Sequence, residues 1–300
     1  MTYFILALSM LAYLIGCMIK KHWGIRYPDN PKMLHLFNAA ISIVSAIALW
    51  GITGFQPLQI SGFTLLLGIV FGVVTALQAV FHVKAFETGS FSYTSVIVSL
   101  STIIPALSGI LFWNESITAV QIMGIVLMLV CFVCSVEQTN DEKKTSRIWF
   151  LYAGLAFLLC GLIGVLQKWH QSTAFKGELD GFLICAFLVS FLYSGSCLVG
   201  LVFKSRTMSS KAEHMHDKRK KLTVLLLMLV AGICVAANNK INLYLSGVMD
   251  SAVFFPTVNG GGLILSTVAS LLIFREKPSK KQWVGIAFGT VAVVLLCNPF

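Results

Sequence analysis

Nine long intervals of this chain contain no Asp, Glu, Lys or Arg, and that pattern limits the fold more than any other feature. They are Met1–Ile19, Met33–Val83, Thr88–Asn114, Ser116–Val136, Ile148–Gln167, Gly181–Phe203, Leu222–Asn239, Ser251–Phe274 and Gln282–Phe300. About 20 apolar residues in helical form cross the hydrocarbon core of a bilayer. Lipid offers the backbone no partner, so a spanning segment has to satisfy its own N–H and C=O groups. The second interval is 51 residues long, enough for two helices, and Gly51-Ile52-Thr53-Gly54-Phe55-Gln56-Pro57 in its middle reads as a turn. Barrel strands would show short alternating segments instead. The expectation is an all-α membrane protein with ten transmembrane helices.

Composition excludes the main alternatives. The chain is 57% hydrophobic and 11% charged, against roughly 25% charged residues in ordinary globular chains. Too little polar surface remains to cover a soluble body of 300 residues. The net charge of +10 stands in short cationic blocks between apolar runs, so no nucleic-acid partner is expected. All eight cysteines lie inside apolar stretches, and Cys131-Phe132-Val133-Cys134 has no second ligand pair. A zinc site needs four converging ligands, so these are read as small buried thiols, with no metal and no cofactor. The first interval has neither a basic leading region nor a small-residue cleavage site, and reads as the first span.

The cations are distributed unevenly. Loops after spans one, three, five, seven and nine hold 19 of the 22 Lys and Arg, including the block from Lys204 to Lys221. The opposite side holds Lys168, Lys176 and Lys240. Cationic loops stay in the cytoplasm, so both termini are expected outside a plasma membrane that the chain crosses repeatedly.

The two halves resemble each other. A shift of 161 residues carries Leu111, Glu115, Gln121, Gly124 and Ile125 onto Leu272, Glu276, Gln282, Gly285 and Ile286. A shift of 148 carries Ile15-Gly16, Lys20 and His22 onto Ile163-Gly164, Lys168 and His170. Residues 1–136 and 148–300 then form two five-helix repeats joined by a polar linker, 137–147. An odd number of spans inverts the second copy, and inverted repeats are typical of secondary transporters. The stretch Leu111-Phe112-Trp113-Asn114-Glu115-Ser116-Ile117-Thr118, with Gln121 and Gly124, resembles the end-of-repeat motif of EamA-type transporters of the drug/metabolite transporter superfamily. Ile273-Phe274-Arg275-Glu276-Lys277-Pro278 with Gln282 and Gly285 repeats it, and Ala85, Ser90, Ser92, Ser99 and Pro105 resemble that family's fourth helix. The resemblance covers nearly the whole chain and implies a ten-helix carrier of small molecules. The chain departs from the family in lacking a cationic amino terminus and a basic loop after span two. It also has Ser266 where the counterpart of Pro105 would stand.

Polar groups inside the spans nominate a site. Asn238, Asn239 and Asn242 interrupt span eight and share helix faces at spacings of three and four. Unpaired amides in lipid are costly, so the cluster should face the interior. The 161 shift matches Asn239 with Gln78. Helix-to-helix bonding by these amides is the competing account, and Lys240 beside them can snorkel. Asn259-Gly260-Gly261-Gly262 in span nine suggests a bend, a break or close backbone approach. Tyr93 and Gln167 are further candidate contacts, although residues at span ends more often anchor the interface. His82 and Glu87 flank the third loop as candidates for proton coupling. Glu115 and Glu276 stand at helix junctions and read as structural carboxylates that can cap the following helix.

The expected function is carriage of a small metabolite or drug by alternating access, facilitated or coupled to a proton or sodium ion. Gln78, Asn238, Asn239, Asn242 and Asn259 would line the cavity. Neutral amides favour a polar, largely neutral solute, such as an amino acid or a nucleoside-like compound. The alternatives are a membrane enzyme acting on a lipid-borne substrate, for which His82, Lys84 and Glu87 are the one compact group, and a membrane scaffold. The charge bias itself is testable. A cysteine introduced at the amino terminus should react with an impermeant maleimide added outside, and one at Ser210 should not. Labelling of Ser210 alone would reverse the orientation.

Overall fold

The structure is a computed structural model that describes residues 2–27, 30–88, 91–135, 147–206, 218–273 and 279–297. Its helices are α1 (Thr2–Arg26), α2 (Pro31–Ile52), α3 (Gly62–Thr88), α4 (Phe91–Leu100), α5 (Ile103–Trp113) and α6 (Ala119–Ser135). They continue as α7 (Arg147–Gln171), α8 (Leu179–Arg206), α9 (Lys218–Val248), α10 (Ser251–Ile273) and α11 (Lys280–Cys297). Helices covering Pro31–Ile52, Gly62–Ala85, Arg147–Gln171, Lys176–Phe203 and Leu222–Val248 are long and apolar enough to cross a membrane. Shorter apolar stretches cover Thr2–Gly16, Ile97–Trp113, Ala119–Cys134, Ser251–Leu265 and Trp283–Cys297. Among the described residues the chain is an all-helical membrane protein with ten apolar helical stretches.

Several helices outrun their charge-free intervals. α1 continues through Lys20 to Arg26, and α9 starts at Lys218 and ends at Val248. Charged residues mark the membrane boundary, whereas the helical bonds continue into the interfacial layer. The amides at Asn238, Asn239 and Asn242 therefore sit well inside α9, with two turns still to follow.

Span four is divided and span nine is not, so of the readings open for the glycine run, close approach is the one that holds. Pro105 has no N–H for the Ser101 carbonyl, and its ring would crowd that carbonyl in a continuous helix. The chain instead makes three-residue bonds, from Ser101 N to Val98 O (3.1 Å) and from Ile104 N to Ser101 O (3.0 Å). α5 then restarts with Pro105 in its first turn, where a missing donor costs nothing. In α10 Ser266 occupies the matched position, and the helix runs unbroken through Asn259-Gly260-Gly261-Gly262. Gly260 serves close approach, since a methyl group there would run into Met128 of α6.

The chain divides into two compact units. One comprises Met1–Leu6, Val74–Lys176 and Asn242–Phe300; the other comprises Ala7–Val73 and Gly177–Ile241. In the first, α4 and α5 lie along α7. Trp149 donates to the Thr94 hydroxyl (2.8 Å) at one end, and Trp113 donates to the Ser172 hydroxyl (2.7 Å) at the other. Between them, Pro105 sits where a methyl group on Gly164 would fall, 2.9 Å from its ring carbons. α6 and α11 run antiparallel: Gly124 faces Ala292 and Leu296, and Gly289 faces Cys131. Their core is Met128, Cys131, Phe132, Val253, Ala292 and Leu296.

In the second unit, α1, α2 and α9 enclose Ile19, Trp23, Phe37, Ile41, Met228 and Ala231. Trp23 stacks on Phe37 with ring centroids 4.6 Å apart. Gly68 and Gly72 of α3 seat the chain against α8. A methyl group on Gly72 would stand 2.7 Å from the Val189 Cβ and 2.9 Å from the Ala186 carbonyl oxygen. The second neighbour is backbone and cannot step aside. Gly72→Ala is expected to destabilise the protein by about 1–3 kcal/mol, as overpacking does, read as a lower melting temperature in detergent. An unchanged melting temperature would show that the two helices can separate freely.

Candidate functional site

The end of α5 organises the most tightly bonded polar group among the described residues. Asn114 adopts a left-handed conformation, φ 52°, which ends the helix and which Asn tolerates. The Glu115 N–H then donates back to the Gly109 carbonyl (3.2 Å), and the Glu115 side chain turns toward α10. Its carboxylate accepts the Ser251 N–H (2.7 Å) and the Ser251 hydroxyl (3.2 Å). Lys168, in the last turn of α7, forms an ion pair with it and donates to the Met249 carbonyl (3.2 Å). The side chains are 7% and 10% exposed for Glu115 and Lys168. Gly109 leaves room for this arrangement, because a methyl group there would overlap the carboxylate.

Glu115 thus caps a helix, but not the one that follows it. α6 carries its own capping box, in which the Thr118 N–H donates to Gln121 Oε1 (2.9 Å) and the Gln121 N–H to Thr118 Oγ1 (3.2 Å). That pair satisfies the free amides locally, and it releases Glu115 to meet the positive end of α10. The ends of α5, α7 and α9 and the start of α10 are joined through one carboxylate. Next to it, Gln171 contacts the His170 ring at 3.1 Å and lies against Gly247. Gln167, a turn earlier in α7, is also buried.

A second ion pair lies in the other unit. Lys240 Nζ stands 2.9 Å from Asp180 Oδ2 and 2.8 Å from Oδ1, so this lysine is engaged by a neighbouring helix and does not snorkel. Asp180 heads α8 beside Glu178, whose carboxylate accepts the Ser61 N–H (2.8 Å) and hydroxyl (2.7 Å).

The amides expected to bind solute divide by role. Asn238 donates to the Ser9 carbonyl and hydroxyl of α1, both at 3.0 Å, which is a bond between helices. Asn239 donates to the Val235 carbonyl one turn back in its own helix (2.8 Å). Both belong to the second unit. Gln78, Asn242 and Asn259 belong to the first, with Gln78 and Asn242 partly buried and Asn259 exposed. His82 is partly buried in α3. Glu87 and Tyr93 lie in α3 and α4, but their side chains are outside the described residues, and Glu276 is wholly outside them. Among the described residues, no three His, Cys, Asp or Glu side chains converge as metal ligands would.

Sequence reasoning missed Asp180, Ser9, Ser251 and the partner of Lys168. One signal was present: Lys168 and Lys240 are two of only three cations on the minority side of the charge count. Each stands in or beside an apolar run, where a lone ammonium needs an acid.

The model of the sugar transport protein family matches residues 33–298. A probable glucose uptake protein of Bacillus cereus is 25% identical over 232 residues, which cover 76% of this chain and 75% of that one. Its counterpart in Bacillus anthracis gives the same figures. An uncharacterized protein of Haemophilus influenzae is 22% identical over 219 residues, 71% of this chain and 68% of its own. A protein known by its crystal structure superposes with a TM-score of 0.74, covering 99% of this chain and 96% of the other at 13% identity; that likeness concerns the fold alone.

The Glu115 junction sets a stability prediction. Glu115→Ala strands a buried ammonium and should cost about 3–5 kcal/mol. Replacing both partners, as in E115Q/K168M, should cost clearly less, because no charge is left alone. Melting temperatures of the two variants decide this, and equal losses would mean that the pair contributes packing and not charge.

Proposed function

Because the chain belongs to the sugar transport protein family, we propose that it carries a small neutral sugar across a membrane, with glucose or a related hexose as first candidate. The observation that carries this reading is the family match over residues 33–298, nine of the ten spans. The kinship with probable glucose uptake proteins narrows the solute and favours inward movement. It replaces the amino acid and nucleoside-like candidates while keeping a polar, uncharged solute. Amide side chains suit that chemistry, since each offers both donors and an acceptor to a hydroxyl. No covalent chemistry is assigned to the chain.

The proposed mechanism is alternating access between two inverted five-helix repeats, residues 1–136 and 148–300, in a plasma membrane with both termini outside. Matched spans contact each other within each unit: α2 meets α8, α5 meets α10, and α6 meets α11. The same shift that carries Glu115 to Glu276 carries Ser90 to Ser251, so the residues of the α5 junction recur in sequence. The Leu111–Thr118 motif is read as a trait shared with EamA-type carriers across a wider kinship. A proton or sodium ion is the proposed coupling partner, with His82 and Glu87 as the residues to test. Gln78, Asn239, Asn242, Asn259, Gln167 and Tyr93 are proposed as solute contacts. Asn238 is set apart, because its amide is occupied by Ser9.

Uptake of labelled glucose into proteoliposomes tests the reading. Asn239→Leu and Gln78→Leu should abolish uptake with little change in melting temperature, since leucine is close in volume but cannot bond a hydroxyl. Asn238→Leu should lower the melting temperature, by about 0.6 kcal/mol on average for such interhelical bonds. Full uptake by the first two variants with lowered stability would remove these amides from the solute path.

A further inference from the structure

We propose that Asp180 and Lys240 form a hydroxyl-binding subsite for the carried solute, where a neutral polyol exchanges hydrogen bonds with both charges. The proposal rests on the sugar-transport reading and deepens it by naming a donor–acceptor pair. The two ion pairs described above are built differently. In the α5 junction the groups are more fully committed: Glu115 takes Lys168, the Ser251 N–H and the Ser251 hydroxyl, and Lys168 also donates to the Met249 carbonyl. In the second pair, Lys240 spends its contacts on the two oxygens of Asp180. An ammonium has three donors and a carboxylate about four acceptor positions, so both retain capacity. They are also more open, with side chains 30% and 22% exposed against 10% and 7%.

Their position gives that exposure a meaning. Lys240 stands eight residues before the end of α9, roughly 12 Å along the helix axis. Asp180 follows the exposed residues Ala174–Gly177 and precedes the run Gly181–Ala186, in which all six residues are buried, so the pair stands where α8 leaves its packed surroundings. Charges facing hydrocarbon are rare and costly, and those inside spans face the bundle interior or water. The open edge of this pair therefore faces the water at this end of α8, where a solute arrives. A donor beside an acceptor, with no net charge, matches two neighbouring hydroxyls of a sugar and favours neither an anion nor a cation.

The test uses the full-length protein in proteoliposomes, with labelled glucose in competition against 2-, 3-, 4- and 6-deoxyglucose. The parent should lose competition about tenfold or more for the deoxy sugars that lack a hydroxyl at this subsite. The paired variant D180N/K240Q leaves neither charge alone. It should bind glucose about tenfold more weakly, lose discrimination at those hydroxyls only, and keep its melting temperature. Should that variant not fold, D180E and K240R, which keep the charges and displace them, carry the same comparison. Discrimination unchanged in the variants, with the parent still taking up glucose, overturns the subsite and spares the family reading. A parent that takes up no sugar overturns both.

Discussion

Helices in lipid gain nothing by hiding apolar surface from one another, because the surrounding chains are equally apolar. Cohesion has to come from close backbone approach and from polar bonds between helices. Several helix contacts among the described residues use these devices. Gly72 lets α3 approach the Ala186 carbonyl of α8, and Gly289 lets α11 approach Cys131 of α6. Ser45 donates to the Gly232 carbonyl at 2.8 Å, and Asn238 reaches Ser9. Large apolar side chains such as Phe4, Leu111 and Phe112 are left more than 70% exposed. In water that would be an error, whereas in a bilayer it is the lipid-facing surface.

The span count was legible because it rests on charge, the most expensive thing to place in hydrocarbon. Among the described residues each charge-free interval contains helix, and the chain turns just after α2, with Gly54 at φ +68° and Phe55 at φ 57°. Helix ends were less legible. A charged residue reports the depth at which water begins, and a helix such as α9 continues past that depth in both directions.

The glycine run left two readings open, a break and close backbone approach, and the structure shows the second. Three glycines weaken a helix only through propensity, about 1 kcal/mol each, and tertiary packing against Met128 outweighs that. Proline removes a donor and collides with a carbonyl, which packing does not repair so readily. Span four breaks at Pro105, yet α10 stays helical through Pro256 as well as through Gly260-Gly261-Gly262, so neither residue type alone marks a broken span.

The polar site was half legible. Amides stand out in an apolar helix, but sequence does not say whether an amide is occupied. Asn238 and Asn239 are neighbours with the same chemistry, yet one ties α9 to α1 and the other bonds its own helix. The charged pairs were obscured differently, since Lys168 and Lys240 were counted among the loop charges and Lys240 was read as extending to the surface. A lysine near a span end has two ways to be tolerated, by extending to the surface or by meeting an acid. Only the fold, which brings residues 53 and 60 positions apart together, distinguishes them. The two outcomes then separate by saturation. A buried pair with most of its donors and acceptors taken holds helices in place, while a more open pair with greater spare capacity can exchange bonds with a solute.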